Sequence, residues 1–151
     1  MINLSSYLKK ELIALKQKIS SKEELLKTIA EMLANNGYVK SKEGAFKDLK
    51  RREDIQSTGI GKGIAVPHLL SPLNEPVVGI LTLKKPIEFN SVDGEPVDFV
   101  FFTAASNPNM HLRMLARLAR LVKSTKIPER IRKAKTPEEV FKIFKEEELK
   151  L

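Results

Sequence analysis

The sequence predicts an α/β sandwich, on three observations. Well-capped helical patterns interleave with short apolar runs of strand length along the whole chain. The runs Val77 to Leu83 and Val97 to Ala105 are strands, the first apolar enough to be covered on both faces and the second placed at the sheet's centre. An Asp93-Gly94 turn between those two strands allows the sheet to be mixed rather than purely parallel. At 151 residues, with 42% hydrophobic and 30% charged residues, the chain suits one domain, 1–151, with a substantial core.

The first segment, 11–19, places Ile13, Leu15 and Ile19 in alternation, broken by Gln17. An edge-type strand fits this pattern, and so does a short helix around Tyr7 to Leu12. Ser20-Ser21-Lys22-Glu23-Glu24 is a capping box, in which a serine accepts from the first turn and a glutamate reaches back. The helix it opens is expected to bury Leu25, Leu26, Ile29, Met32 and Leu33, and Asn35-Asn36-Gly37 ends it with residues that tolerate left-handed dihedrals. A second helix starts after Ser41 and runs to about Arg52.

Next comes the stretch Ser57-Thr58-Gly59-Ile60-Gly61-Lys62-Gly63, followed by the strand Ile64-Ala65-Val66. Glycine at every second position marks a sharp turn or a close approach. Pro67 has no N–H for a ladder and stops the strand, so His68 is expected just past its carboxyl end. Ser71 to Pro76 is punctuated as a loop. After the 97–105 strand, Ser106-Asn107-Pro108-Asn109 caps a helix with proline in its first turn. That helix is expected to turn Leu112, Leu115, Ala116, Ala119 and Val122 inward and Arg113, Arg117 and Arg120 outward. A short helix near Pro128 to Ile131 follows. Thr136-Pro137-Glu138-Glu139 then opens a last one, with Val140, Ile143 and Phe144 inward.

Composition excludes several classes. No apolar run approaches the ~20 residues of a membrane span, and the N-terminus lacks a signal-peptide layout. The absence of cysteine removes thiolate catalysis, disulfides and cysteine-bound zinc, and fits a reducing compartment, so the cytoplasm is expected. The formal net charge is +8, but the basic residues are spread among many glutamates. Aromatic content is 6% with no tryptophan, so a base-stacking nucleic-acid platform is not expected.

The available chemistry centres on two histidines. His68 follows a proline that aims it, and His111 lies in the first turn of its helix, where the dipole favours a neutral imidazole and a bound oxyanion. Arg51 and Arg52 offer a planar fork for phosphoryl oxygens. Ser57 and Thr58 offer hydroxyl donors, and the glycine loop offers backbone N–H groups of the anion-nest kind. This set describes a phosphoryl acceptor better than a hydrolase. No Gly-x-Ser-x-Gly elbow is present, Gly61-Lys62-Gly63 lacks the P-loop ending, and no His-Glu-x-x-His spacing supplies a metal site.

At these residues the chain resembles the IIA component of the bacterial sugar phosphotransferase system, in its fructose/mannitol (type-2) class. The resemblance rests on Glu53, on Ser57 to Gly61, and on Ile64-Ala65-Val66-Pro67-His68. It continues in Arg52 before that motif, in the hairpin region Ile87 to Gly94, and in the second-histidine helix, His111-Leu112 with Leu115-Ala116 and Leu118-Ala119. One departure is Leu69 after the histidine, where the class has a small residue. The resemblance implies a single-domain mixed sheet of about five strands with helices on both faces, of the phosphotransferase/anion-transport-protein kind. It also implies a phosphoryl relay. The carrier protein HPr, charged by enzyme I from phosphoenolpyruvate, would donate to Nε2 of His68. A IIB component would take the group on, typically at a cysteine, and a membrane IIC permease would couple transfer to sugar uptake. Arg52, His111, Ser57, Thr58, Gly59 and Gly61 would surround the phosphoryl, with no metal or cofactor. Leu69 and Leu70 would contribute to an apolar partner patch. A nitrogen-regulatory branch of the class carries the same motif, and a basic nucleic-acid-binding domain is the alternative of a different kind.

Overall fold

The computed structural model describes residues 2–70 and 75–151. One mixed sheet runs through it, built from β1 (Leu8–Gln17), β2 (Gly59–Gly61), β3 (Ile64–Ala65), β4 (His68–Leu70), β5 (Val77–Ile87) and β6 (Val97–Ala105). The order is β1-β5-β6-β3-β2, with β4 also paired to β6. Strands β5 and β6 are antiparallel, while β1 joins β5 and β3 joins β6 in parallel, so the sheet is mixed, as the Asp93-Gly94 turn allows. Helices α1 (Lys22–Asn35) and α2 (Lys42–Ile55) cover one face. Helices α3 (Pro108–Ser124), α4 (Ile127–Arg132) and α5 (Pro137–Glu148) cover the other.

The sheet has six strands rather than about five, because Pro67 splits one track in two. Ile64 faces Phe99 and His68 faces Thr103 at the same offset along β6. β3 and β4 are therefore one strand interrupted where proline cannot donate. His68 consequently opens β4 instead of hanging beyond a strand end. Of the expected 71–76 loop, residues 71–74 lie outside the described residues.

Local rules account for most elements. β1 is an edge strand preceded by a 3₁₀ turn, Leu4–Ser6, so the strand reading of this segment holds. Ser21 caps α1 by accepting from Glu24 N, and Glu24 Oε2 accepts from Ser20 N at 2.9 Å. The α1 core face holds Leu25, Leu26, Ile29, Ala30 and Leu33, with Met32 only partly buried at its margin. Ser41, Asn107 and Thr136 cap α2, α3 and α5 through side-chain oxygens. Val140, Ile143 and Phe144 point inward as expected.

Helix α3 is rotated from the expected orientation. Its buried arc is His111, Met114, Arg117, Leu118 and Leu121, and Leu112 is 65% exposed. Two apolar arcs in this sequence have equally good helical spacing, so periodicity alone leaves the choice open. Arg117 Nε donates to Glu148 Oε2 at 3.0 Å, and the same carboxylate accepts from Leu4 N and Ser5 N, both at 2.9 Å. A carboxylate contributed by α5 thus makes burial of Arg117 tolerable and selects the arc that brings His111 inward.

Candidate functional site

Three elements converge at one end of the sheet. The last turn of α2 brings Arg52, the start of β4 brings His68, and the first turns of α3 bring His111. His68 Nδ1 lies 3.0 Å from the carbonyl oxygen of Val66. A carbonyl only accepts, so the ring proton resides on Nδ1 and the lone pair on Nε2. Arg52 Nε donates to that lone pair at 3.0 Å, while Arg52 Nη1 donates to Gln56 O at 2.7 Å. The two imidazoles are 4.6 Å apart between ring centroids and tilted by 48°.

The electrostatics keep both rings neutral near pH 7. Burial pushes the His68 pKa down and the Arg52 guanidinium adds to this, against opposing contributions from the Val66 carbonyl and Glu53. His111 is 8% exposed, and burial, with His68 and Arg52 close by, pushes its pKa down to about 4. Its Nδ1 is buried with no hydrogen-bond partner among the described residues. Chemically, the site offers a nucleophilic Nε2 of fixed tautomer, a guanidinium already aimed at it, and a neutral second imidazole alongside. That arrangement suits displacement at an electrophile carrying negative oxygens.

The structure brings His68, Arg52 and His111 together. It gives the other expected site residues internal tasks. Ser57 Oγ donates to Phe89 O at 2.6 Å and accepts from Gly59 N. Thr58 is buried, and both its N–H and its hydroxyl donate to the Glu53 carboxylate. Gly59 to Gly61 form β2, paired with β3 across a turn at Lys62-Gly63, and Lys62 N donates to Asp93. The glycine stretch is therefore a hairpin, with the N–H groups of Thr58, Gly59 and Lys62 already paired rather than arranged as an open anion nest. Gly59 is required for close approach, since a Cβ there would lie 2.2 Å from Ser91 Oγ and 3.0 Å from Ser91 Cα. Leu69 is 2% exposed and belongs to the core, so it is not a contact for a partner; Leu70, 51% exposed, remains on the surface. In a strand, successive side chains alternate between faces, which explains the divergence of these neighbours.

Glu53 is a further member of the site, one to which the sequence motif attached no role. It is 5% exposed, with Oε1 3.0 Å from Lys22 Nζ of α1. A signal for it exists in the sequence: an acid in the last turn of a helix opposes the macrodipole and needs another partner.

The similarities to known proteins are with one family. The model of the phosphoenolpyruvate-dependent sugar phosphotransferase system EIIA 2 family matches residues 6–147. A nitrogen regulatory protein of Pseudomonas aeruginosa is 34% identical over 126 residues, covering 82% of each chain. The mannitol-specific phosphotransferase enzyme IIA component of Bacillus subtilis is 34% identical over 143 residues, covering 92% of this chain and 96% of its own. Among solved structures, the nitrogen regulatory protein IIA-Ntr from Neisseria meningitidis superposes with a TM-score of 0.83 at 27% identity, covering 93% of this chain and 97% of that one.

Proposed function

Since the chain belongs to the EIIA 2 family of the phosphoenolpyruvate-dependent sugar phosphotransferase system, and so is a phosphotransferase component acting between proteins, we propose that His68 is its phosphoryl acceptor. The observation that carries this reading is the pair of contacts on one imidazole, Val66 O on Nδ1 and Arg52 Nε on Nε2. In this reading Nε2 attacks the phosphorus of a phosphohistidine donor, HPr, in line with the donor's P–N bond. That bond breaks as the Nε2–P bond forms, the donor imidazole leaves with the electron pair, and the ring proton stays on Nδ1, donated to Val66 O. Arg52 moves from the lone pair to the equatorial oxygens, exchanging a hydrogen bond to a neutral atom for one to a developing anion. His111, neutral, supplies an N–H without repelling Arg52. Phospho-His68 then loses the group to a IIB component, which works with a membrane IIC permease. No metal or cofactor enters the scheme.

Placement in sugar transport is one reading of the branch. A second, regulation by phosphorylation-dependent protein binding, is supported by the similarity to nitrogen regulatory proteins, which equals in identity that to the mannitol component.

The test is labelling from phosphoenolpyruvate with enzyme I and HPr. The expected product is an acid-labile, alkali-stable adduct absent from His68→Ala. Labelling that persists in His68→Ala, or never forms on the wild type, overturns the assignment. Onward transfer to a IIB component identifies the transport branch; label that stays on the chain while a protein target binds one phosphorylation state identifies the regulatory one.

A further inference from the structure

A chain of hydrogen bonds leads to His68 Nδ1 from Glu53, the residue next to Arg52. Glu53 Oε1 accepts from Thr58 N at 3.0 Å, and Oε2 accepts from the Thr58 hydroxyl. Thr58 O in turn accepts from Val66 N at 3.0 Å, closing the open end of the β2–β3 hairpin. Val66 O is the acceptor for His68 Nδ1. Between Val66 and His68 lies only Pro67, whose ring fixes its φ. Neighbouring residues of α2 therefore attend to the two nitrogens of one ring: Arg52 directly at Nε2, and Glu53 at Nδ1 through Thr58 and Val66.

From this geometry we infer that Glu53 is a positioning residue for phosphoryl transfer, one that holds His68 in the Nδ1–H tautomer and so keeps the lone pair on Nε2. This rests on His68 being the acceptor. Glu53 also anchors the fold, but its arrangement exceeds that need. A buried carboxylate in the last turn of α2 costs desolvation, which the ion pair with Lys22 at 3.0 Å offsets. Lys22 is itself held over the Phe89 ring at 4.5 Å and donates to Phe89 O. Phe89 O also accepts from Ser57, so the segment before the hairpin is fixed from both sides. With the Val66 carbonyl displaced, the neutral imidazole exchanges between tautomers, and the Nε2–H form has no lone pair to attack with.

The experiment reads the tautomer and the transfer rate separately. Ring ¹⁵N shifts of His68 at neutral pH are compared in the wild type, Glu53→Ala, Glu53→Gln and Thr58→Val, alongside single-turnover phosphorylation by the donor. Glu53→Ala is expected to gain Nε2–H tautomer and to slow transfer by on the order of 10- to 100-fold. Glu53→Gln keeps an oxygen for Thr58 N and is expected to retain most of the Nδ1–H form, with a rate between the other two. Thr58→Val is expected to shift the tautomer in the same direction as Glu53→Ala. Wild-type ring shifts in Glu53→Ala overturn the inference; should that variant not fold, wild-type ring shifts in Thr58→Val do so. A tautomer change in a chain whose wild type takes no label at His68 would overturn the acceptor assignment instead, leaving the structural path intact.

Discussion

Replacing Arg52 tests whether its guanidinium acts on the transferring group or only shields a resting histidine. In the resting state Arg52 Nε is 3.0 Å from a neutral Nε2, a contact worth little more than an ordinary hydrogen bond. During transfer, phosphoryl oxygens carrying charge would occupy the region Nε–H now points into. A unit charge pair at ~4 Å interacts by about 4 kcal/mol at the effective dielectric of a partly buried site. Subtracting the resting hydrogen bond leaves a differential stabilisation of roughly 2.5 to 3.5 kcal/mol, or roughly 70- to 400-fold in rate. Arg52→Ala should lose that factor in rapid-quench labelling by the phosphorylated donor. Arg52→Lys, with a point charge and no fork, should fall between. A second consequence runs the other way. Removing a cation that helps depress the His68 pKa should move that pKa back up towards 6.5, displacing the acid limb of the pH–rate profile to higher pH. An Arg52→Ala rate within threefold of wild type, with the profile unmoved, would refute the electrostatic role.

Two other outcomes are expected. His111 titrates near 4 when folded and near its ordinary 6.5 when unfolded, so its neutral form is favoured by folding. Stability from this source is complete above pH 6.5 and is lost as pH falls from there through about 4, by on the order of 3 kcal/mol in total. Urea unfolding of His111→Gln should show a stability–pH slope over that range flatter by this amount; an unchanged slope contradicts the assignment. Gly59→Ala drives a methyl into Ser91, including its backbone. It should cost about 1 to 3 kcal/mol in chemical denaturation and slow labelling through the displaced hairpin; wild-type values for both would show that the hairpin yields freely.

Strong local signals made much of the architecture legible. Ser21, Ser41, Asn107 and Thr136 cap helices that begin where those residues stand, because a side-chain oxygen satisfies orphan N–H groups within one turn and needs nothing distant. The apolar run of β6 marked it as the sheet's central strand, and the Asp93-Gly94 turn allowed for the mixed sheet in which it pairs antiparallel with β5. The candidate site was legible as residue types: two histidines at element ends, an arginine upstream, and a motif with a family resemblance.

What only the tertiary structure decided depends on groups far apart in the chain. Which arc of α3 faces inward depended on Glu148, 31 positions beyond Arg117. The burial of Leu69 depended on Pro67 interrupting a strand that then resumes beside β6. The hydroxyls of Ser57 and Thr58 went to Phe89 and Glu53 rather than to an open site, because buried polar groups take the partners that the fold places within reach. Chain order states which groups are present and which turns they favour. Which nitrogen of His68 carries the proton, and which arginine nitrogen meets the other, was set by a carbonyl and a helix end that meet only when the sheet closes.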